Sequence, residues 1–171
     1  MINYLRRHKI RTAIGCLLLL WYIFCLPRTL FKEGYATIVE SREGKLLGGK
    51  IAPDGQWRFP ERDTVPHKLR EALLAYEDAH FYYHWGVNPV STTKALLTNL
   101  RHGRTIRGGS TLTQQVIRLA RKNKARTYGE KLVEAIWATR LEFRYSKESI
   151  LRLYASHAPF GGNVVGLDMA A

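Results

Sequence analysis

A long uncharged run near the N-terminus is the clearest feature of the hydrophobic pattern. Residues 12–26 carry no charged side chain, whereas residues 1–11 contain four Lys or Arg residues and no acid. With apolar residues at both edges, the run reaches about 17–20 residues, near the lower limit for crossing a bilayer. We therefore predict a transmembrane signal anchor over residues 12–30, preceded by a cytoplasmic basic tail over residues 1–11.

Two other interpretations of this segment stay open. A cleaved signal peptide has the same basic start, although Phe24, Cys25 and Leu26 do not form the small-x-small pattern that precedes a cleavage site. A buried helix of a soluble domain is the third interpretation. In the first two, everything after residue 30 lies outside the cytoplasm, which argues against a nucleic-acid function.

Short β patterns occupy residues 31–60. Residues 35–39 are β-branched and aromatic in composition, residues 42–45 are a candidate turn, and residues 46–51 can return beside the first strand. Asp54-Gly55 is a further turn signal. We predict a short strand and hairpin linker between the anchor and the domain that follows.

From Pro66 onward the apolar residues recur at helical spacing. The inward face of the first helix is predicted to consist of Leu69, Ala72, Leu73, Tyr76 and His80.

Capping residues predict where the later helices begin. Asn88 with Pro89 opens a helix through about residue 100, Ser110 or Thr111 caps one through about residue 122, and Ser146 caps another. A longer helix is expected over about residues 132–143. The sequence therefore predicts a mainly α domain over residues 61–171.

Composition narrows the partners without choosing among them. The net charge of +13 predicts an anionic partner, which can be nucleic acid, anionic lipid headgroups or a phosphate-bearing substrate. Both cysteines, Cys16 and Cys25, fall in the apolar run, so they form neither a disulfide framework nor a metal-ligand spacing.

Residues 77–86 form the first candidate for chemistry. Glu77 and Asp78 are adjacent carboxylates at a predicted helix end, and Phe81 and His84 follow closely. A carboxylate against aromatic rings is a candidate general acid or base. The alternative is an ordinary polar helix end with no catalytic role.

A glycine turn over residues 107–115 is the second candidate. Gly108 and Gly109 precede a hydroxyl-rich helix start at Ser110 and Thr111, which leaves backbone N–H groups free to meet a phosphate. The lysine and spacing of a nucleotide P-loop are absent. A plain loop with a helix cap is the alternative.

Positive charge surrounds this turn. Residues 94–131 contain ten Lys or Arg residues and one acid, Glu130. These cations can meet a diphosphate, or they can form a solvated face against anionic lipid. Lys131 and Glu134 lie three residues apart on one helix face, where a surface ion pair is the common outcome.

Taken together and in this order, the clusters resemble glycosyltransferase family 51, the transglycosylase domain of class A penicillin-binding proteins. The second family motif, Gly-Gly-Ser-Thr-x-Thr-Gln-Gln, matches residues 108–115 throughout. The other three motifs are matched by Glu77, Asp78, Phe81, His84 and Gly86, by Lys131, Glu134 and Ala135, and by Lys147, Ile150, Leu151 and Tyr154.

The chain departs from the family pattern at three motif positions. Asn88 stands where the family has Asp, Glu130 where it has Arg, and Ser156 where it has Asn. Similar domains continue for several tens of residues, and class A proteins then add a transpeptidase domain, which this sequence lacks. We interpret the chain as a truncated form, incomplete at the C-terminus, and expect little or no polymerase activity from it.

The resemblance implies a lysozyme-like fold and an activity, the polymerisation of lipid II into β-1,4-linked glycan with inversion. Glu77 is implied as the catalytic base, with Glu134 as a second catalytic carboxylate that orients Lys131 or helps bind a cation. The implied substrate-binding residues are Asp78, Phe81, His84, Lys94, Gly109, Ser110, Thr111, Gln114, Gln115, Arg118, Arg126 and Lys131.

Cofactor, partners and location follow from the same resemblance. Mg²⁺ or Mn²⁺ is implied at the donor diphosphate, although the sequence contains no all-protein metal cage. The partners are lipid II, polyprenyl-diphosphate glycan, the bacterial inner membrane and other cell-wall synthesis proteins, with the catalytic domain in the periplasm and no nucleic acid. A lysozyme-like peptidoglycan hydrolase and a basic nucleic-acid-binding module are the alternatives.

Overall fold

The computed structural model describes residues 8–61, 63–106, 108–124 and 127–170. The chain divides into two compact units, residues 1–30 and residues 31–171. The first contains one helix, α1 (Lys9–Phe24), in which no residue is buried. Four consecutive leucines, residues 17–20, are all exposed, so the part of α1 beyond Arg11 shows apolar side chains around its whole circumference.

The helical part of the predicted anchor is shorter than residues 12–30. Helix α1 has 16 residues and ends at Phe24. Pro27 explains the end, because a proline disfavours helical backbone in the residue before it and lacks an N–H donor. Within the described residues, no helix combines the length and the apolar character that a membrane span requires.

The predicted hairpin is present. Strands β1 (Thr37–Glu40) and β2 (Leu46–Lys50) pair antiparallel, with Thr37 opposite Lys50. Ser41 closes the turn, since its hydroxyl accepts hydrogen bonds from the backbone N–H groups of Glu43 and Lys45.

A second, small sheet joins distant parts of the chain. Strand β3 (Trp57–Arg58) pairs parallel with β5 (Val164–Val165), and β5 pairs antiparallel with β4 (Pro159–Gly161). The hydrophobic pattern did not predict this sheet, because two-residue strands leave no alternation to detect.

The remaining elements are helical. They are α2 (His67–Glu77), a 3₁₀ turn (Phe81–Tyr83), α3 (Pro89–His102), α4 (Leu112–Ala120), α5 (Tyr128–Glu142), α6 (Lys147–His157) and α7 (Leu167–Ala170). Asn88, Thr111 and Ser146 cap α3, α4 and α6, which confirms the predicted helix starts. The mainly α fold class is confirmed, whereas the lysozyme-like likeness and the domain limits stay predictions.

The core of the second unit is built around α4, which packs against both α5 and α6. Its inner side chains are fully buried together with residues of those two helices. They are Leu112, Val116, Ile117, Leu141, Ile150 and Leu151. Burying such side chains contributes about 1.5–3 kcal/mol each, so α4 is a rigid support for the polar residues it carries.

The predicted inward face of α2 is wrong in part. Tyr76 is 89% exposed, Ala72 is exposed, and His80 lies beyond the helix in an exposed position. The half-buried stripe of α2 instead consists of Leu69, Arg70, Leu73, Leu74 and Glu77. The stripe is rotated so that Glu77, a charged residue, lies on the protein side.

Candidate active site

Glu77 is the last residue of α2 and is half-buried. The side-chain amide of Gln115 donates to Glu77 Oε2 at 2.8 Å, and the Tyr154 hydroxyl donates to Gln115 Oε1 at 3.5 Å. Burial first, and the charge of Glu77 second, raise the pKa of Tyr154 to about 12. The phenol therefore keeps its proton at neutral pH, and one carboxylate oxygen of Glu77 is fixed by Gln115.

Asp78 has a different environment, although it is the next residue. Its carboxylate is buried and accepts from His84 Nε2 at 2.9 Å and from the backbone N–H of Leu112 at 3.0 Å. Leu112 is the first residue of α4, where a carboxylate satisfies a free N–H group and interacts favourably with the helix dipole. Asp78 and His84, both predicted to bind substrate, are thus tied into the fold.

The glycine turn lies directly on α3. A Cβ atom at Gly109 would come within 2.9 Å of Thr92 Cα and 3.1 Å of the Ser91 carbonyl oxygen. The hydroxyl of Thr92 donates to the Gly109 carbonyl oxygen at 3.2 Å. Only glycine permits this approach, so Gly109 fixes the path of the turn.

Thr111 and Gln114 form a capping box at the start of α4. The Gln114 side chain accepts from the Thr111 N–H at 3.0 Å, and the Thr111 hydroxyl donates to the Gly86 carbonyl oxygen at 2.6 Å. Both side chains are buried. Thr111 and Gln114 therefore hold the start of α4 against residue 86, and their side chains lie away from solvent.

Arg118 connects the glycine turn to α5. Its Nε and Nη2 atoms donate to the two carboxylate oxygens of Glu134, each at 2.8 Å, and Nη2 also donates to Ser110 Oγ at 3.1 Å. The hydrogen bonds to Glu134 raise the pKa of Arg118. Three predicted site residues meet here: Ser110 of the second motif, Glu134 of the third and Arg118 between them in the sequence, joined by a bidentate, charge-assisted pair.

The other predicted cations have different positions. Lys131 is exposed on α5, and within the described residues no hydrogen bond or ion pair joins it to Glu134. Lys94 is exposed on α3, beside an open hollow of about 330 Å³ that Pro89, Val90 and Thr93 also line. Arg126 lies outside the described residues.

Phe81 belongs to the packing beneath the site. It is 1% exposed, and the Lys147 ammonium group lies 4.4 Å from its ring centroid. Lys147 also donates to the His84 carbonyl oxygen at 2.6 Å and to Glu142 Oε1 at 2.8 Å. The Thr113 hydroxyl donates to the same Glu142 oxygen.

Sequence reasoning did not assign a role to Glu142. The motif match at Lys147 was the available signal for the contact between Lys147 and Glu142. The spacing of these two residues in the sequence does not show that they hold the end of the 3₁₀ turn.

A further contact, between the residue that follows α4 and helix α5, was also missed. Arg121 donates to Glu130 in bidentate fashion, with a shortest distance of 2.7 Å from Nη2 to Oε2. The same guanidinium lies 4.5 Å from the Trp137 ring centroid. Glu130, the acid that departs from the family pattern, is therefore paired with a base at the end of the neighbouring helix.

These contacts show what α4 brings together. Gln115 and Arg118 lie three residues apart, on one face of the helix. Gln115 holds a half-buried carboxylate, and Arg118 holds a cationic site beside a glycine turn. A carboxylate can accept a proton and a guanidinium can stabilise a leaving anion, so the arrangement has the two parts that a group transfer requires.

Comparison with known proteins gives one consistent result. A family model described as Transglycosylase matches residues 47–171. Penicillin-binding protein 1C of Escherichia coli (strain K12) is 42% identical over 147 residues, which cover 85% of this chain and 19% of that protein. Penicillin-binding protein 1B of Vibrio cholerae is 43% identical over 121 residues, covering 70% of this chain and 15% of that protein.

The chain thus spans about a fifth or less of the length of these relatives. The stretch over residues 154–166 looks most like the 1C type, and the match to the 1C relative confirms that resemblance. Since the family model spans well over half of the chain, and relatives above 40% identity cover more than two thirds of it, this chain belongs to the transglycosylase family.

Proposed function

We propose that this chain carries the glycosyl-transfer site of a peptidoglycan glycosyltransferase that polymerises lipid II into β-1,4-linked glycan strands. The observation that carries the proposal is the position of Gln115 and Arg118 on one face of α4. The first holds Glu77, and the second holds Ser110 and Glu134. A base and a cationic leaving-group site supported by one buried helix suit a single in-line displacement.

Glu77 is the proposed general base. Gln115 occupies Oε2, which leaves Oε1 to accept the proton of the acceptor's 4-hydroxyl group. The hydroxyl oxygen bonds to the anomeric carbon of the donor as the bond from that carbon to the diphosphate oxygen breaks. The electron pair leaves on the polyprenyl diphosphate, and the α link of the donor becomes a β link.

Arg118 and Ser110 are the proposed contacts for the departing diphosphate, together with Lys131, Lys94 and Arg126. Arg118 is already oriented by Glu134, so little reorganisation is required when negative charge develops. We propose that Glu134 acts through Arg118, because its carboxylate accepts from that guanidinium. Four other predicted site residues act through the fold, since they hold the start of α4. They are Asp78, His84, Thr111 and Gln114.

A divalent cation at the diphosphate remains a proposal, and protein carboxylates give it little support. Both oxygens of Glu134 accept from Arg118. In the part of the chain that the structure describes, no group of three or more His, Cys, Asp or Glu residues has metal-binding geometry. Mg²⁺ or Mn²⁺ would have to be held mainly by substrate oxygens, and no step is derived through it.

We further propose that residues 12–26 attach the protein to the bacterial inner membrane, with residues 1–11 in the cytoplasm and the domain in the periplasm. The exposed apolar surface of α1 supports this, as does the basic segment before it. Resistance to alkaline carbonate extraction, with digestion of the domain by protease added to spheroplasts, is the expected result. Recovery of the intact chain in the soluble fraction would contradict it.

Activity and donor binding test the proposed reaction together. Detergent-solubilised protein is incubated with labelled lipid II, with and without Mg²⁺, and the products are separated on gels. We expect glycan strands, formed slowly, and a rate lower by about 10²–10⁴ with Glu77→Gln. Calorimetry should detect binding of farnesyl diphosphate that Arg118→Ala weakens.

The opposite outcomes are equally clear. No use of lipid II, together with no binding of farnesyl diphosphate, would contradict the proposed function. Release of fragments from polymeric peptidoglycan without any use of lipid II would identify a hydrolase instead.

A further inference from the structure

Two ion pairs join the C-terminal end of α4 to α5 side by side. Arg118 binds Glu134, and Arg121 binds Glu130. Arg118 lies in the last turn of α4 and Arg121 directly follows the last residue of that helix, whereas the two glutamates lie four residues apart on one face of α5. All four side chains are at least three-quarters buried, with exposed fractions from 10% to 25%.

Arg121 contacts α5 on both sides of Glu134, the partner of Arg118. On α5 the order along one face is Glu130, Glu134, Trp137, and the Arg121 guanidinium contacts the first and the last of these. Glu134, which lies between them, bonds Arg118. Both arginines therefore reach the same short stretch of α5, and each has a different carboxylate as its partner.

We propose that Glu130 is a positioning residue for the donor-diphosphate site. By pairing with Arg121, Glu130 leaves Glu134 available to pair with Arg118. The Arg118 guanidinium then stays hydrogen-bonded to Ser110. This inference rests on the proposed function, because it concerns the site that binds the diphosphate. Nothing in the motif matches points to it, since Glu130 stands where the family pattern has a base.

The physical reason is the cost of a half-buried charge without a partner. If Glu130 loses its charge, Arg121 remains 15% exposed and unpaired, which is unfavourable. The next carboxylate on the same face of α5 is Glu134. Arg121 then competes with Arg118 for it, and a Glu134 drawn toward Arg121 no longer orients Arg118 against Ser110.

Simple charge counting predicts the opposite result. Removing an acid from a cationic site should strengthen the binding of an anion. Our proposal instead expects Glu130→Gln to weaken the binding of a diphosphate. It also expects the double variant Arg121→Gln/Glu130→Gln to restore binding, because the competitor for Glu134 is gone. The sign of the first effect and the recovery in the second distinguish positioning from charge and from general loss of packing.

The test measures binding of farnesyl diphosphate by calorimetry, with thermal unfolding recorded for every variant. Coupled neighbours typically differ by about 0.5–3 kcal/mol, so we expect about a tenfold weaker Kd for Glu130→Gln. The double variant should bind within about threefold of the unaltered protein. Glu130→Asp, which keeps the charge, should also bind within about threefold. Glu43→Gln, the same change in the exposed hairpin turn, is the matched control.

Three results would overturn the inference. These are equal or tighter binding by Glu130→Gln, a double variant as weak as Glu130→Gln, and a Glu130→Asp variant that binds poorly. If Glu130→Gln does not fold, the double variant and Glu130→Asp still decide, because both must bind normally. If the unaltered protein does not bind farnesyl diphosphate, this inference fails, and the proposed function fails with it only if lipid II is not used either. A failed recovery overturns the inference alone.

Discussion

Glu77 and Asp78 are neighbours in the chain, yet their carboxylates lie in two different environments. Glu77 is half-buried and receives a side-chain hydrogen bond from Gln115. Asp78 is buried and receives bonds from His84 and from the first N–H of α4. The comparison teaches that one motif can place one carboxylate in the half-exposed position that the proposed chemistry requires and use the other to hold the helix that supports it.

The largest expected effect is on activity, and it distinguishes Glu77 from Asp78. Glu77→Gln keeps the shape of the side chain but removes the base, which typically costs about 10²–10⁴ in rate. Lipid II polymerisation should fall by that factor, while the urea midpoint stays unchanged. Near-normal turnover in this variant would show that Glu77 is not the base.

The expected effect on stability is the reverse, because the larger loss is expected at Asp78. Asp78→Asn weakens the bonds from His84 and Leu112, and hydrogen bonds to a charged group are worth about 1.5–3 kcal/mol. The free energy of unfolding, measured by urea denaturation, should fall by about that amount. Asp63→Asn, an exposed acid, is the control. Equal losses in Asp78→Asn and Glu77→Gln would remove the distinction between the two residues.

Ser110 and Thr111, two adjacent hydroxyl residues, allow a similar comparison with smaller expected effects. Thr111→Ala removes the N-cap of α4 and its bond to the Gly86 carbonyl, which should cost about 1–2 kcal/mol of stability. Ser110→Ala removes the acceptor for Arg118 and should stay within about 0.5 kcal/mol. Ser110→Ala should instead weaken farnesyl diphosphate binding. A reversed ranking in thermal denaturation would count against the assignment.

Tyr154→Phe gives the smallest expected effect. The phenol donates to Gln115 over 3.5 Å, so its loss should lower the rate only about two- to threefold, without a change in substrate affinity. Tyr76→Phe, on the exposed side of α2, should leave the rate unchanged. A tenfold loss would mean that the phenol contacts substrate, and no loss would mean that it does not orient Gln115.

Local chemistry is what the sequence could predict. Asn88, Thr111 and Ser146 act on N–H groups only three residues away, so their capping role is visible in a short window of sequence. The hairpin could be predicted for the same reason, because its strands are consecutive.

Partners that are distant in sequence could not be predicted. Lys131 is the cation that shares a helix face with Glu134 in the sequence, but the structure gives Glu134 the arginine of another helix. The orientation of α2 shows a related difficulty. Its apolar pattern placed Ala72 and Tyr76 inward, whereas the stripe that meets the protein ends in Glu77. Glu77, the proposed base, is a carboxylate on the inner stripe, and the hydrophobic pattern fails at this residue.

The small sheet has a consequence for how the molecule forms during synthesis. Trp57 pairs with Val164, so the partner of β3 is translated more than a hundred residues later. At about 5–20 residues per second, the ribosome needs several seconds or more to supply it. During that interval the edge of β3 has no strand to pair with, and a long loop must close before the sheet exists. The hairpin and each separate helix can form early, whereas this closure belongs to the end of the folding process.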